Sequence, residues 1–128
     1  MGVFYYYDLE YSEVFVFDDY IINQMREGST ITKQKNSKLK KLIDTHFQDK
    51  PVVYISNRIF SYSVDPMTYI ETSKIQNLLA IAIVTDNKLN QKNAVYESEF
   101  YTNPFKVFDN VSDAIIWARQ IIVEHQSS

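Results

Sequence analysis

The chain opens on three short runs in which Val, Ile, Phe and Tyr dominate, at residues 3–9, 13–17 and 20–25. β-branched and aromatic side chains at that density suit pleated, half-buried strands. Glu10-Tyr11-Ser12 and Asp18-Asp19 interrupt the runs as turns, so the pattern predicts an antiparallel meander. Gly28 closes this region, a place where a residue without Cβ turns the chain at no steric cost. The period then changes. Leu39, Leu42, Ile43, His46 and Phe47 recur at spacings of three, four, seven and eight, which predicts a helix over 33–47. Ser29, Thr30 or Thr32 could cap it, and Lys33, Lys38, Lys40 and Lys41 lie mostly on the opposite side.

Beyond this helix the pattern alternates between continuous apolar runs and helical spacing. Residues 51–56 and 78–85 read as strands buried on both faces, and 104–108 as a shorter, edge-like strand. Asp65-Pro66 is a helix start, with Asp accepting from open N–H groups and Pro fitting the first turn. The helix it opens, to about Asn77, carries Met67, Ile70 and Leu78 on a face that Lys74 interrupts. A third helix over 90–101 has Leu89, Asn93, Tyr96 and Phe100 along one stripe. The last, over 112–125, has the clearest face: Val111, Ala114, Ile115, Ala118, Ile121 and Ile122, with Asp113 and Glu124 on the polar side.

The order is a strand meander followed by α-β-α-β-α-β-α. It predicts an α/β fold in which N-terminal antiparallel strands join a mainly parallel mixed sheet of four to five strands with about four helices. No internal repeat, low-complexity tract or linker divides the 128 residues, so a single domain over 1–128 is expected.

Composition narrows the function classes. Cysteine is absent, which removes disulfides, thiol nucleophiles and thiolate metal sites together. A net charge of -3 disfavours nucleic-acid binding, which needs a basic surface. No apolar run is long enough to span a membrane, and the first eleven residues contain Asp8 and Glu10 with no basic segment. A cytoplasmic protein without an integral membrane segment is expected.

The only glycines are Gly2 and Gly28, so phosphate-cradling loops and the nucleophile elbow have no glycines to build on. His46 and His125 fall on separate helices, each on an apolar side, and read as core-edge residues. Carboxylate pairs such as Asp18/Asp19 and Glu97/Glu99 read as solvated, as does the lysine face of the first helix. The residues therefore predict no enzyme, no metal and no cofactor.

One segment stands out, Tyr54-Ile-Ser-Asn-Arg58 running on to Ser61-Tyr-Ser-Val-Asp-Pro66. It follows the carboxyl end of a central strand, where open α/β sheets take ligands and partners. Ser56, Asn57, Arg58, Ser61, Tyr62, Ser63 and Asp65 make it a candidate interaction loop. Arg58 is expected to be held by backbone carbonyls or a carboxylate near the second helix, because an unpaired guanidinium beside a buried strand is costly. Asp65 as the helix cap would repel an anion there.

With Ala-Ile-Ala-Ile-Val at 80–84 and Ala-Ile-Ile-Trp-Ala at 114–118, these motifs resemble small bacterial SpoIIAA-like proteins. Those are relatives of the STAS domain and of the CRAL-TRIO lipid-binding fold. The resemblance runs from about Tyr11 to Ile122 and implies a mixed sheet of four or five strands with helices packed against it. STAS relatives that antagonise anti-sigma factors carry a phosphorylatable Ser or Thr at the helix start after a central strand. Ser61 and Ser63 are the nearest positions here. The Asp-Ser-Ser-Gly type of sequence is missing, and a phosphate on Ser63 would meet Asp65 at short range. The chain also lacks the extra helices that wall a CRAL-TRIO lipid cavity.

Two functions of different class follow as expectations. The first is a non-enzymatic, STAS-like interaction or regulatory module that meets an unknown protein partner through the 57–65 loop. The second is a small-ligand or lipid-head-group binder using the same loop. A homodimer is also expected. Ile116 and Val123, seven apart, make a candidate dimer surface on the outer side of the last helix, and Tyr5, Tyr7, Phe15 and Phe17 leave apolar bulk on both faces of the meander.

Overall fold

The computed structural model describes residues 4–26, 30–31, 33–58, 63–64 and 66–127, with backbone alone at 30, 31, 33–36, 63, 64, 66 and 127. Strands β1 (Tyr5–Asp8), β2 (Ser12–Val16) and β3 (Tyr20–Met25) form the antiparallel meander. β4 (Thr30–Ile31) and β6 (Ser63–Val64) pair with each other in a small parallel sheet of their own. β5 (Val52–Asn57), β7 (Leu78–Val84) and β8 (Phe105–Phe108) continue the main sheet in parallel from β3. The main sheet is thus six-stranded, in the order β1-β2-β3-β5-β7-β8. Helices α1 (Lys33–Phe47), α2 (Pro66–Thr72), α3 (Lys88–Glu97) and α4 (Val111–Ser127) complete the chain, with a 3-10 turn at Ser98–Phe100.

Alternation along the central strands divides the core in two. Val52, Tyr54, Ile81 and Ile83 point to one face, where Leu39, Ile43 and Phe47 of α1, Tyr69 of α2 and Ala94 of α3 cover them. Val53, Ile55, Ala80, Ala82 and Val84 point to the other, against Ala114, Ala118 and Ile122 of α4. Strands loaded on both faces are apolar where helices cover both sides, which is why 52–55 and 78–84 are unbroken apolar runs. Four alanines at the α4 contact let helix and sheet approach closely.

The turns carry their own bracing. Glu10 sits at φ 71°, and the Tyr11 N–H donates back to the Leu9 carbonyl at 2.9 Å. Arg26 holds this corner, donating from Nη1 to Asp8 Oδ1 at 2.8 Å and to the Glu10 carbonyl at 2.5 Å. Gln48, at φ 53°, closes α1 in the left-handed region that glycine more often fills.

Three expectations change. The helix read to Asn77 stops at Thr72, and the Lys74 that interrupted its face lies in the turn beyond. The third helix buries Asn90, Ala94 and Glu97, while Leu89 and Tyr96 of the supposed inner stripe are exposed. Glu97, read as solvated, is buried; its ion partner turns the helix that way round. Gly28, Ser29 and Thr32 lie outside the described residues. No helix among the described residues is long and apolar enough to cross a membrane.

Candidate functional site

β5 ends where the predicted loop begins, and its last residues part to opposite faces. Ser56 and Arg58 point toward α1–α3, with Ser56 1% and Arg58 4% exposed. Asn57 points to the α4 face, where its amide donates to Gln24 Oε1 at 3.5 Å. The Arg58 N–H extends the ladder by one bond, to the Val84 carbonyl at 2.8 Å.

The Arg58 guanidinium is enclosed between two helices. Nη1 donates to Glu97 Oε2 at 3.1 Å, and Nη2 donates to Glu97 Oε1 at 2.5 Å and meets the Tyr69 hydroxyl at 3.1 Å. Tyr69 donates in turn to Glu97 Oε1 at 2.5 Å. Both carboxylate oxygens are therefore taken by the planar guanidinium fork, the bidentate geometry that favours Arg over Lys. β5, α2 and α3 are tied at one point. The expected pinning of Arg58 by a carboxylate is present, although the carboxylate belongs to α3 and a hydroxyl of α2 joins it.

A second polar group lies on the same face of the sheet. Asn23 Nδ2 donates to the Tyr54 hydroxyl at 2.8 Å, and Asn23 is the Cα partner of Ser56 across β3 and β5. Ser12 Oγ, Asn23 Oδ1 and Thr68 Oγ1 are buried with no hydrogen-bond partner among the described residues. Such atoms cost free energy unless something satisfies them.

The structure brings Ser56 and Arg58 to one face and separates Asn57 from them. Ser63 is placed only as backbone, in β6 beside Thr30, so the stretch read wholly as loop contains a two-residue strand. Ser61, Tyr62 and Asp65 lie outside the described residues. Ile116 and Val123 are 57% and 59% exposed and line a shallow groove of about 400 Å³ with Arg119, Gln120 and Glu124. That outward position on α4 is the one their spacing predicted.

Sequence reasoning missed Glu97, Tyr69 and Asn23. A glutamate and an asparagine seven apart on the same helix, Glu97 and Asn90, were the available signal that a helix face would be polar and buried. His46 is part-buried and hydrogen-bonds the Tyr7 hydroxyl, with its ring centre 4.7 Å from that of Tyr5 at a tilt of 39°. Among the described residues no group of three or more His, Cys, Asp or Glu side chains could hold a metal.

No protein-family model and no curated protein matches the chain. A solved structure does: an uncharacterised protein from the DUF3478 family with a SpoIIAA-like fold, from Shewanella loihica PV-4. The two align over 91% of this chain and 93% of that one, with a TM-score of 0.54 and 13% sequence identity. At that identity the likeness speaks for architecture alone. The chain has a SpoIIAA-like fold.

Proposed function

We propose that this chain is a non-enzymatic, STAS-like interaction or regulatory module whose partner surface lies at the carboxyl end of β5. The observation that carries the reading is the mutual saturation of Arg58, Glu97 and Tyr69. A charged cluster at a ligand-facing strand end would serve catalysis if a base or acid were left with a proton to move. Here both Glu97 oxygens accept from Arg58, and Oε1 also accepts from Tyr69. The cluster acts as a strut, fixing two helices around the strand end so that the residues after Arg58 leave from a rigid frame.

A second reading has its own support. Ser12, Asn23 and Thr68 each keep a buried oxygen with no partner among the described residues, and a small polar ligand would supply one. Native mass spectrometry of the protein isolated from its own host separates the two. The module reading expects a complex with another protein. A bound small molecule supports the second reading instead, and a chain carrying neither sinks both.

A further inference from the structure

We infer that β1 is a docking strand for a second copy of this chain, paired antiparallel about a two-fold axis at Tyr6. β1 is one of the two edges of the main sheet. The Leu9 N–H donates to the Ser12 carbonyl, and the register pairs Tyr7 with Val14 and Tyr5 with Val16. Backbone groups alternate along an antiparallel strand. Leu9, Tyr7 and Tyr5 therefore spend theirs on β2, and the N–H and C=O groups of Phe4, Tyr6 and Asp8 face outward.

The two edges are finished differently. Pro104 precedes β8, and Lys106 stands in its middle with Nζ 5.5 Å from the centre of the Phe108 ring. Proline and lysine are common devices for keeping an edge from pairing. β1 has neither. Its one charge, Asp8, sits at the end and is engaged by Arg26. Phe4, Tyr5 and Tyr6 are 54%, 52% and 48% exposed, an aromatic edge of the kind that sheet proteins usually blunt.

The sequence of β1 is self-complementary in this arrangement. Tyr6 faces Tyr6 of the partner subunit, and Phe4 and Asp8 exchange backbone bonds with Asp8 and Phe4 of the partner subunit. Between them Tyr5 lies opposite Tyr7 of the partner subunit, an aromatic cross-strand pair made twice. On the α4 face, the Phe4–Phe17–Tyr20 stack and the Tyr6–Phe15 pair would continue into those of the second copy.

Area sets the strength. An aromatic side chain buries about 150–250 Å² when fully covered, so three half-exposed rings supply roughly 300 Å² per copy. A standard interface uses about 800 Å² per partner. The dimer is accordingly a weak, reversible one that forms as concentration rises through the micromolar range.

Sedimentation velocity on the full chain, combined with residue-level amide exchange, tests this. The mean mass should climb from 15.1 kDa toward the dimer with concentration. The amides of Tyr6 and Asp8 should gain protection in step, with those of Tyr5 and Tyr7 unchanged. Tyr6→Lys should abolish the mass change; the exchange pattern of the unsubstituted chain decides independently if that variant misfolds. A chain that stays monomeric at several hundred micromolar overturns the inference. So does a dimer that dissolves with Ile116→Asp while Tyr6 and Asp8 amides stay unprotected.

Discussion

Arg58 Nη2 lies 2.5 Å from Glu97 Oε1 with both side chains buried, so an ion pair joins the end of β5 to the inner face of α3. Opposite charges out of water are retained only where each satisfies the other, and Tyr69 completes the set. Glu97→Gln leaves the guanidinium buried without its counter-charge and is expected to cost roughly 3–5 kcal/mol. Replacing both partners by apolar residues, Arg58→Met with Glu97→Leu, should recover most of that loss. Urea unfolding of the parent and the two variants measures it. A Glu97→Gln protein as stable as the parent would mean that the pair bears no structural load.

How much of this was legible in the sequence depends on what holds each element. α1 and α4 are held by apolar faces of helical period, and 33–47 and 112–125 were read almost to their ends. β5 up to Ile55, and the whole of β7, announce burial on both faces by having no polar interruption. α3 was placed but turned the wrong way, because its orientation is set by an ion pair to a residue 39 positions earlier and not by its apolar side chains. Period analysis is blind to such a contact. The same blindness hid Glu97 and Tyr69 while leaving visible the need for Arg58 to find backbone carbonyls or a carboxylate. β4 and β6, two residues each, carry no pattern of their own and exist only by pairing across 33 positions of chain.

Acid should loosen the hairpin at the sheet edge. The Arg26 guanidinium, and after it the Glu10 N–H, hold the Asp8 carboxyl below the usual aspartate range. A carboxylate with a depressed folded value contributes stability above its ordinary value of about 3.9, and that contribution is lost as pH falls through the depressed one. Carboxyl titration by NMR should show Asp8 with a low midpoint that rises in Arg26→Gln. An unchanged midpoint would show that Arg26 does not bind it in solution.

Alkali acts on a different residue. Burial pushes the Tyr101 phenol up to about 12. Its folded value stands above the ordinary value of about 10, so the unfolded chain ionises first. Stability is intact below about pH 10 and is lost as pH rises toward 12. Tyr101→Phe should flatten that loss in denaturant titrations over the same window, whereas an equal slope in both proteins would place the phenol in contact with water.

The close approach of α4 to the sheet depends on small side chains. Ala118 is fully buried in the cluster that includes Ala80 and Ala82. Ala118→Leu inserts a branched chain where there is no room and should destabilise by about 1–3 kcal/mol, with Ile122→Ala costing about 2–5 by the opposite defect. Thermal melts test both. A neutral Ala118→Leu would mean that α4 rides further from the strands.

The claim that the carboxyl end of β5 meets another protein is tested most directly by photo-crosslinking in the host. A photoreactive amino acid is placed at Asn57, which is half-buried at the strand end, and a control is placed at Lys41 on the outer face of α1. Position 57 should give one discrete protein adduct that position 41 does not. No adduct at position 57, or the same adducts from both positions, would contradict the account.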